Sequence, residues 1–309
     1  MFPTSYFLLL TLGIPIRKMK NSIYILIAVL ISVIYLSCTD NPFFEDTDFL
    51  SDKLIIRGKV ELDQSDDASG VFVWLEGLNV HTYTKSNGEF ELHLNSPALL
   101  PGGASAWNDE YKLYYYLANY KYETSSVLIR NGKVEYGKLD VDNNGRILKD
   151  IKLTELLGIR TTISPCSVKT NTIFKQKVDL YFTIHFETVR LATYVPLDET
   201  SGCVIFKRLD APQTLSVFVL ANKNTLRPID MPTSQVWNMQ LGGIDEMGVK
   251  DMDPVPIESG LYEVIPYLVI EQSGLPDGLL QSISPYYKTF SAEYLKLPFK
   301  WNVDTLLVK

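Results

Sequence analysis

The chain has 309 residues and a formal net charge of −7, from 29 Lys+Arg against 36 Asp+Glu. Arg17, Lys18 and Lys20 are the only charged residues before position 38, so residues 38–309 hold 26 basic and 36 acidic side chains, a net of −10. An acidic body excludes a nucleic-acid partner, which needs clustered positive charge, and three His and three Cys leave little material for a zinc or thiolate centre. The length suits two domains, each large enough to bury its own core.

The first element is an apolar run, Ile23 to Leu36, of 14 uncharged residues preceded by Met19-Lys20-Asn21. As a helix it spans roughly 21 Å, short of the roughly 30 Å hydrocarbon core of a bilayer. Length and basic flank predict a signal peptide over residues 1–37, with Met19 as the effective start. Ser37-Cys38 at its end resembles the bacterial lipobox, in which the Cys is diacylated and becomes the mature N-terminus; Tyr35 and Leu36 are bulkier than that motif's usual residues. Residues 38–51, with Asp40, Asn41, Glu45, Asp46 and Asp48, read as a polar tether. The resemblance implies a membrane partner held through acyl chains on Cys38, each buried methylene contributing about 0.8 kcal/mol. It also places the chain in a bacterial cell envelope, at the outer membrane and facing periplasm or exterior. In that oxidising setting Cys166 and Cys203 are a candidate disulfide. Closing a loop of about 37 residues would contribute roughly 3–4 kcal/mol on the entropy model. The alternative is two independent buried thiols.

After the tether, short alternating apolar runs separated by turn residues predict an all-β protein of two β-sandwich domains. Leu54–Leu62, an acidic loop over Asp63–Ser69, Gly70–Gly77, Val80–Thr84 and Glu89–Leu94 follow in order, the last two flanking Asn87-Gly88, a strong hairpin signal. Tyr111–Leu117, Val127-Leu128-Ile129 and Ile147–Leu153 complete the first set. Gly58-x-Val60, Gly70-Val71-x-Val73-x-Leu75-x-Gly77, Thr82-x-Thr84 and Gly88-x-Phe90-x-Leu92 resemble the carboxypeptidase regulatory-like domain, with Asn119 where that family usually has Gly. The resemblance covers about residues 52–157 and implies a transthyretin-like sandwich of non-catalytic, accessory character.

Residues 158–309 resemble no named family. Val178, Leu180, Phe182, Ile184 and Phe186 alternate with polar positions, a half-buried strand. Further strands are expected at 189–195, 203–209, 214–221, 261–270 and 305–308, with Pro228, Pro232, Pro254, Pro256, Pro276 and Pro285 marking long loops.

Four constellations bear on chemistry. Asp140, Asp142 and Asn144, with Gly145 next, match the first positions of a calcium loop, but Ile151 stands where its bidentate Glu belongs, and Asn143-Asn144-Gly145 is equally a hairpin turn. His81 and His93, paired about Asn87-Gly88 with Glu91 diagonal, form either a weak metal set or the wet face of a hairpin. His185 shares a strand face with Glu187, and no Gly-x-Ser-x-Gly, Ser-x-x-Lys or His-Glu-x-x-His occurs. Finally, Tyr114, Tyr116 and Tyr120 belong to a tyrosine-rich stretch, and Tyr114 and Tyr116 fall on the strand face opposite Tyr115. That face predicts a surface for stacking on a glycan or burial against an envelope protein. The functional expectation is a non-catalytic, lipid-anchored binding or assembly module with no cofactor beyond calcium. The alternatives are an extracytoplasmic hydrolase with its site in the C-terminal loops and a purely structural envelope component.

Overall fold

Residues 54–99, 102–170, 176–194, 203–211, 215–218, 226–241 and 258–309 are described by a computed structural model. The leader, Cys38, the tether and Pro254 and Pro256 lie outside those residues.

In the first part the strands are β1 (Ile55–Leu62), β2 (Phe72–Leu75), β3 (Val80–Tyr83), β4 (Glu89–His93), β5 (Asp109–Tyr116), β6 (Glu123–Arg130), β7 (Lys133–Val134) and β8 (Ile151–Leu153). They form a three-stranded sheet, β4-β1-β8, facing a five-stranded one, β3-β2-β5-β6-β7. Alternation decides the filling. Ile56, Val60, Phe90, Leu92, Ile151 and Leu153 from the smaller sheet meet Val73, Leu75, Leu113, Tyr115, Val127 and Ile129 from the larger, all almost wholly buried. The chain is all-β, as its pattern predicts.

The predicted hairpin at Asn87-Gly88 is instead a corner between the sheets: β3 pairs with β2, and β4 pairs with β1. Gly88 makes the corner possible. It sits at φ +80°, and a Cβ there would lie 2.0 Å from the Val60 carbonyl oxygen. Val60 N–H in turn donates to the Gly88 carbonyl at 2.9 Å. His81 and His93 are therefore on different sheets, and the metal set they suggested is not assembled. His81 packs on the Phe72 ring at 5.1 Å, and His93 lies beside Glu91, which pairs with Arg57 at 2.7 Å.

The second part holds β9 (Leu157–Ser164), β10 (Ser167–Val168), β11 (Gln176–Ile184), β12 (Val189–Tyr194), β13 (Cys203–Arg208), β14 (Leu215–Phe218), β15 (Leu226–Met231), β16 (Gln235–Leu241), β17 (Gly260–Tyr267), β18 (Val269–Glu271) and β19 (Thr305–Val308). Three sheets, β16-β11-β9, β15-β12-β18 and β10-β19-β17-β13-β14, surround one core. β15 and β16 replace part of the loop expected around Pro228 and Pro232. Pro228 is tolerated because β15 lies at a sheet edge, where a missing N–H costs no ladder bond on its open side.

One short helix, α1 (Asp277–Ile283), and the chain after it to Trp301 connect the two parts. The helix has only seven residues and no side-chain N-cap, so packing rather than propensity holds it. Leu279 is buried against Phe72, Trp74, Tyr114 and Tyr116 on the outer face of the β2–β5 sheet. Tyr294 and Leu297 are buried against Cys203, Ile205, Ile265 and Tyr267 on the outer face of the β13–β17 sheet. Leu280, Ile283 and Phe299 touch both clusters. This segment is a clasp that covers one sheet of each sandwich.

The clasp overturns the expected tyrosine surface. Tyr114 and Tyr116 are 6% and 2% exposed beneath it, and Tyr120, 1% exposed, is packed in the core of the first sandwich, so none offers a ring to an external partner. The disulfide expectation also fails, because the Cys166 and Cys203 sulfurs are not bonded to one another. Cys166 is exposed beside β10, while Cys203 opens β13 on the far side of β19 and β17. Three strand spacings separate them by about 14 Å, and their registers differ by a further roughly 17 Å along the strands. A disulfide needs Cα atoms within about 7 Å.

Candidate functional site

With the tyrosine face covered, the chemistry of the surface concentrates where the first sandwich runs into the second. The chain leaves β8 through Thr154, Glu155 and Leu156, and Glu155 is held by an isolated bridge to Tyr120 and by its N–H donating to Asp63 Oδ1 at 2.9 Å. β11 ends at Ile184, which delivers His185 to the same point. His185 Nε2 lies 2.9 Å from Glu155 Oε2, with the carboxyl largely buried and the imidazole part-exposed.

Below this pair sits Asn119, fully buried. Its Nδ2 donates to the carbonyls of Lys300 at 2.7 Å and Leu157 at 3.0 Å, and its Oδ1 accepts from Lys300 N–H at 3.0 Å. One amide thus ties the first sandwich, the start of the second and the end of the clasp. Lys300 Nζ then reaches Asp67 Oδ2 at 2.7 Å, and that contact, helped by Ser69, holds the Asp67 carboxyl down at about 2.

The walls of the resulting cleft, of about 530 Å³, include Arg160, Tyr181, His185, Trp301 and Asn302. Arg160 and Tyr181 are cross-strand partners of β9 and β11, and the guanidinium carbon lies 3.9 Å from the tyrosine ring centroid. Trp301 stacks on Phe299 at 4.7 Å and 11°, so its indole is held by the clasp. Asn302 is positioned by its own backbone, which exchanges hydrogen bonds with Ile159 and Thr161 of β9.

Burial raises the Glu155 carboxyl above its ordinary 4.5, opposed by the His185 charge and aided by that of Asp63. A raised carboxyl means that the folded chain binds more protons than the unfolded one. The stability this supplies is complete below pH 4.5 and lost as pH rises through the folded value. We expect the stability of the native chain relative to Glu155→Gln to fall between about pH 4 and about pH 7. Urea midpoints of the two proteins at both pH values measure it, and a pH-independent difference would contradict it. Asp67, whose depressed carboxyl has the opposite slope, is common to both proteins and cancels.

Residues singled out in the sequence distribute as follows. Tyr120 and His185 line the cleft, whereas Tyr114 and Tyr116 face the clasp. Asp140, Asp142 and Asn144 lie in the turns between β7 and β8. Asp140 Oδ2 accepts from Ser126 N–H, while Asp142 Oδ1 accepts from the N–H groups of Asn144 and Arg146, each at 2.7 Å. Those carboxylates are committed to the backbone in different directions, and among the described residues no three His, Cys, Asp or Glu converge as metal ligands. Glu155, Arg160 and Trp301 carried no motif; only their meeting across the fold marks them. A second hollow, of about 580 Å³, includes Lys121, Glu187, Arg190 and Glu271, but its charges neutralise one another in the pairs Lys121–Glu187 at 2.9 Å and Arg190–Glu271 at 3.4 Å.

No protein-family model matches this chain, and no curated protein matches it. Among solved structures it is similar to the Bacillus anthracis TIE protein at 8% identity and a TM-score of 0.21, over 72% of this chain and 48% of that one. The chain thus spans about half of that structure's length.

Proposed function

We propose that the protein is a lipid-anchored, non-catalytic binding module of the bacterial cell envelope, held to the membrane by acyl chains on Cys38 and presenting the cleft around Arg160, His185 and Trp301 to its ligand. In this reading the first sandwich is of the carboxypeptidase regulatory-like, transthyretin-like kind, and the partner is an envelope glycan or protein. The observation that carries the anchor is the uncharged run Ile23–Leu36 ending in Ser37-Cys38, followed at once by an acidic tether. Tyr114 and Tyr116 are given no part in recognition, because their rings are buried against the clasp.

The chemistry of the cleft supports binding rather than turnover. His185 Nε2 is paired with Glu155 Oε2 at 2.9 Å, and no Ser or Cys lies in a recognised nucleophile motif. The expected result for Cys38→Ala is transfer of the protein from the membrane to the soluble fraction on cell fractionation. Retention of the variant in the membrane would mean that acylation is not the anchor.

A further inference from the structure

We propose that the cleft is a binding site for an anionic saccharide, in which Arg160 receives the carboxylate of a uronic-acid residue and the Trp301 indole receives a sugar ring. The inference rests on the reading of the protein as an extracytoplasmic binding module and gives its ligand a chemical class.

Charge comes first. Within the cleft Lys300 is neutralised by Asp67 at 2.7 Å, and His185 and Glu155 form a pair at 2.9 Å. Arg160 has no carboxylate within ion-pair range among the described residues and lies over the Tyr181 ring, 3.9 Å from its centroid. Arg160 is therefore the cleft cation left without a carboxylate partner among the described residues. A guanidinium held by stacking keeps its planar fork pre-organised for a bidentate carboxylate.

Shape decides between anions. The hollow is open and lies in the volume range of small-ligand sites. Its lining includes the rings of Tyr181 and Trp301, and the Trp301 indole is fixed by stacking at 11° on Phe299. Around it stand the exposed Asn302 and the His185–Glu155 pair, planar groups suited to vicinal hydroxyls. A sugar ring offers an apolar face to the indole and hydroxyls to the planar groups. An acidic peptide would bring carboxylates but no ring for the tryptophan.

The test is calorimetric titration of the full chain in detergent with three probes: an oligogalacturonate, the neutral galactose oligomer of equal length, and a hexaglutamate peptide. Binding of the oligogalacturonate in preference to both others is expected. Arg160→Gln should weaken it roughly tenfold or more, as loss of a charged hydrogen-bond pair does. Arg190→Gln, in the second hollow, should leave it unchanged. The proposal is overturned by no heat at millimolar oligogalacturonate, by equal affinity for the neutral oligomer or the peptide, or by an Arg160→Gln variant that binds as the parent does. Because fractionation of Cys38→Ala reads only the anchor, the ligand assignment can fail while the envelope reading stands, and the converse holds as well.

Discussion

Replacing Tyr294 with Ala is expected to cost about 3–5 kcal/mol of folding stability, the range for removing a large ring from a filled core. Tyr294 is fully buried and stands at the hinge of the clasp. Its ring lies 4.6 Å from that of Tyr267 and 5.9 Å from that of Phe299, and its hydroxyl donates to the Pro266 carbonyl at 2.8 Å while accepting from Leu268 N–H at 3.3 Å. Pro266 lies in β17 beyond the reach of β19, which pairs only as far as Glu263, and the tyrosine hydroxyl gives its carbonyl a donor. Tyr294→Phe, which keeps the ring, should cost only about 1–2 kcal/mol. Urea unfolding reads both, and limited proteolysis of Tyr294→Ala should cut first within residues 275–301. Loss of less than about 1 kcal/mol in the alanine variant would show that the clasp is not what joins the sandwiches.

Asn119→Ala is the second large effect, about 2–4 kcal/mol, through hydrogen bonds rather than packing. The amide makes three bonds to main-chain atoms of Leu157 and Lys300 that no water reaches. Truncation leaves two carbonyls and one N–H without their partner, and an unmade buried bond costs more than a made one contributes. Hydrogen exchange should show lost protection at the Lys300 amide, while the β1 amides facing Glu89–His93 keep theirs. Unchanged exchange at Lys300 would contradict the account. Through those bonds Asn119 fastens the second sandwich to the first.

How much of this was legible beforehand follows from periodicity. An alternation of two reports which side chains share a face, and it placed β1, β4 and β11 close to where they lie. Alternation does not report what covers the second face. The signal for covering was present as continuous apolar runs, Phe72-Val73-Trp74-Leu75 and Cys203-Val204-Ile205-Phe206, all eight buried in the fold. Such runs mark strands with both faces covered. Weighed by those runs, Tyr114 and Tyr116 belong to a second core rather than to a surface.

Composition and local pattern alone determined the all-β class, the acidic body and the uncharged run Ile23–Leu36, because each depends only on neighbouring residues. The sheet partners of β3 and β4, the distance between Cys166 and Cys203, the fate of the tyrosines and the meeting of Glu155 with His185, and of Arg160 with Tyr181, were decided by tertiary structure. Each joins residues brought together by a corner at Gly88, by cross-strand register or by a clasp from the far end of the chain, and no local periodicity encodes such contacts.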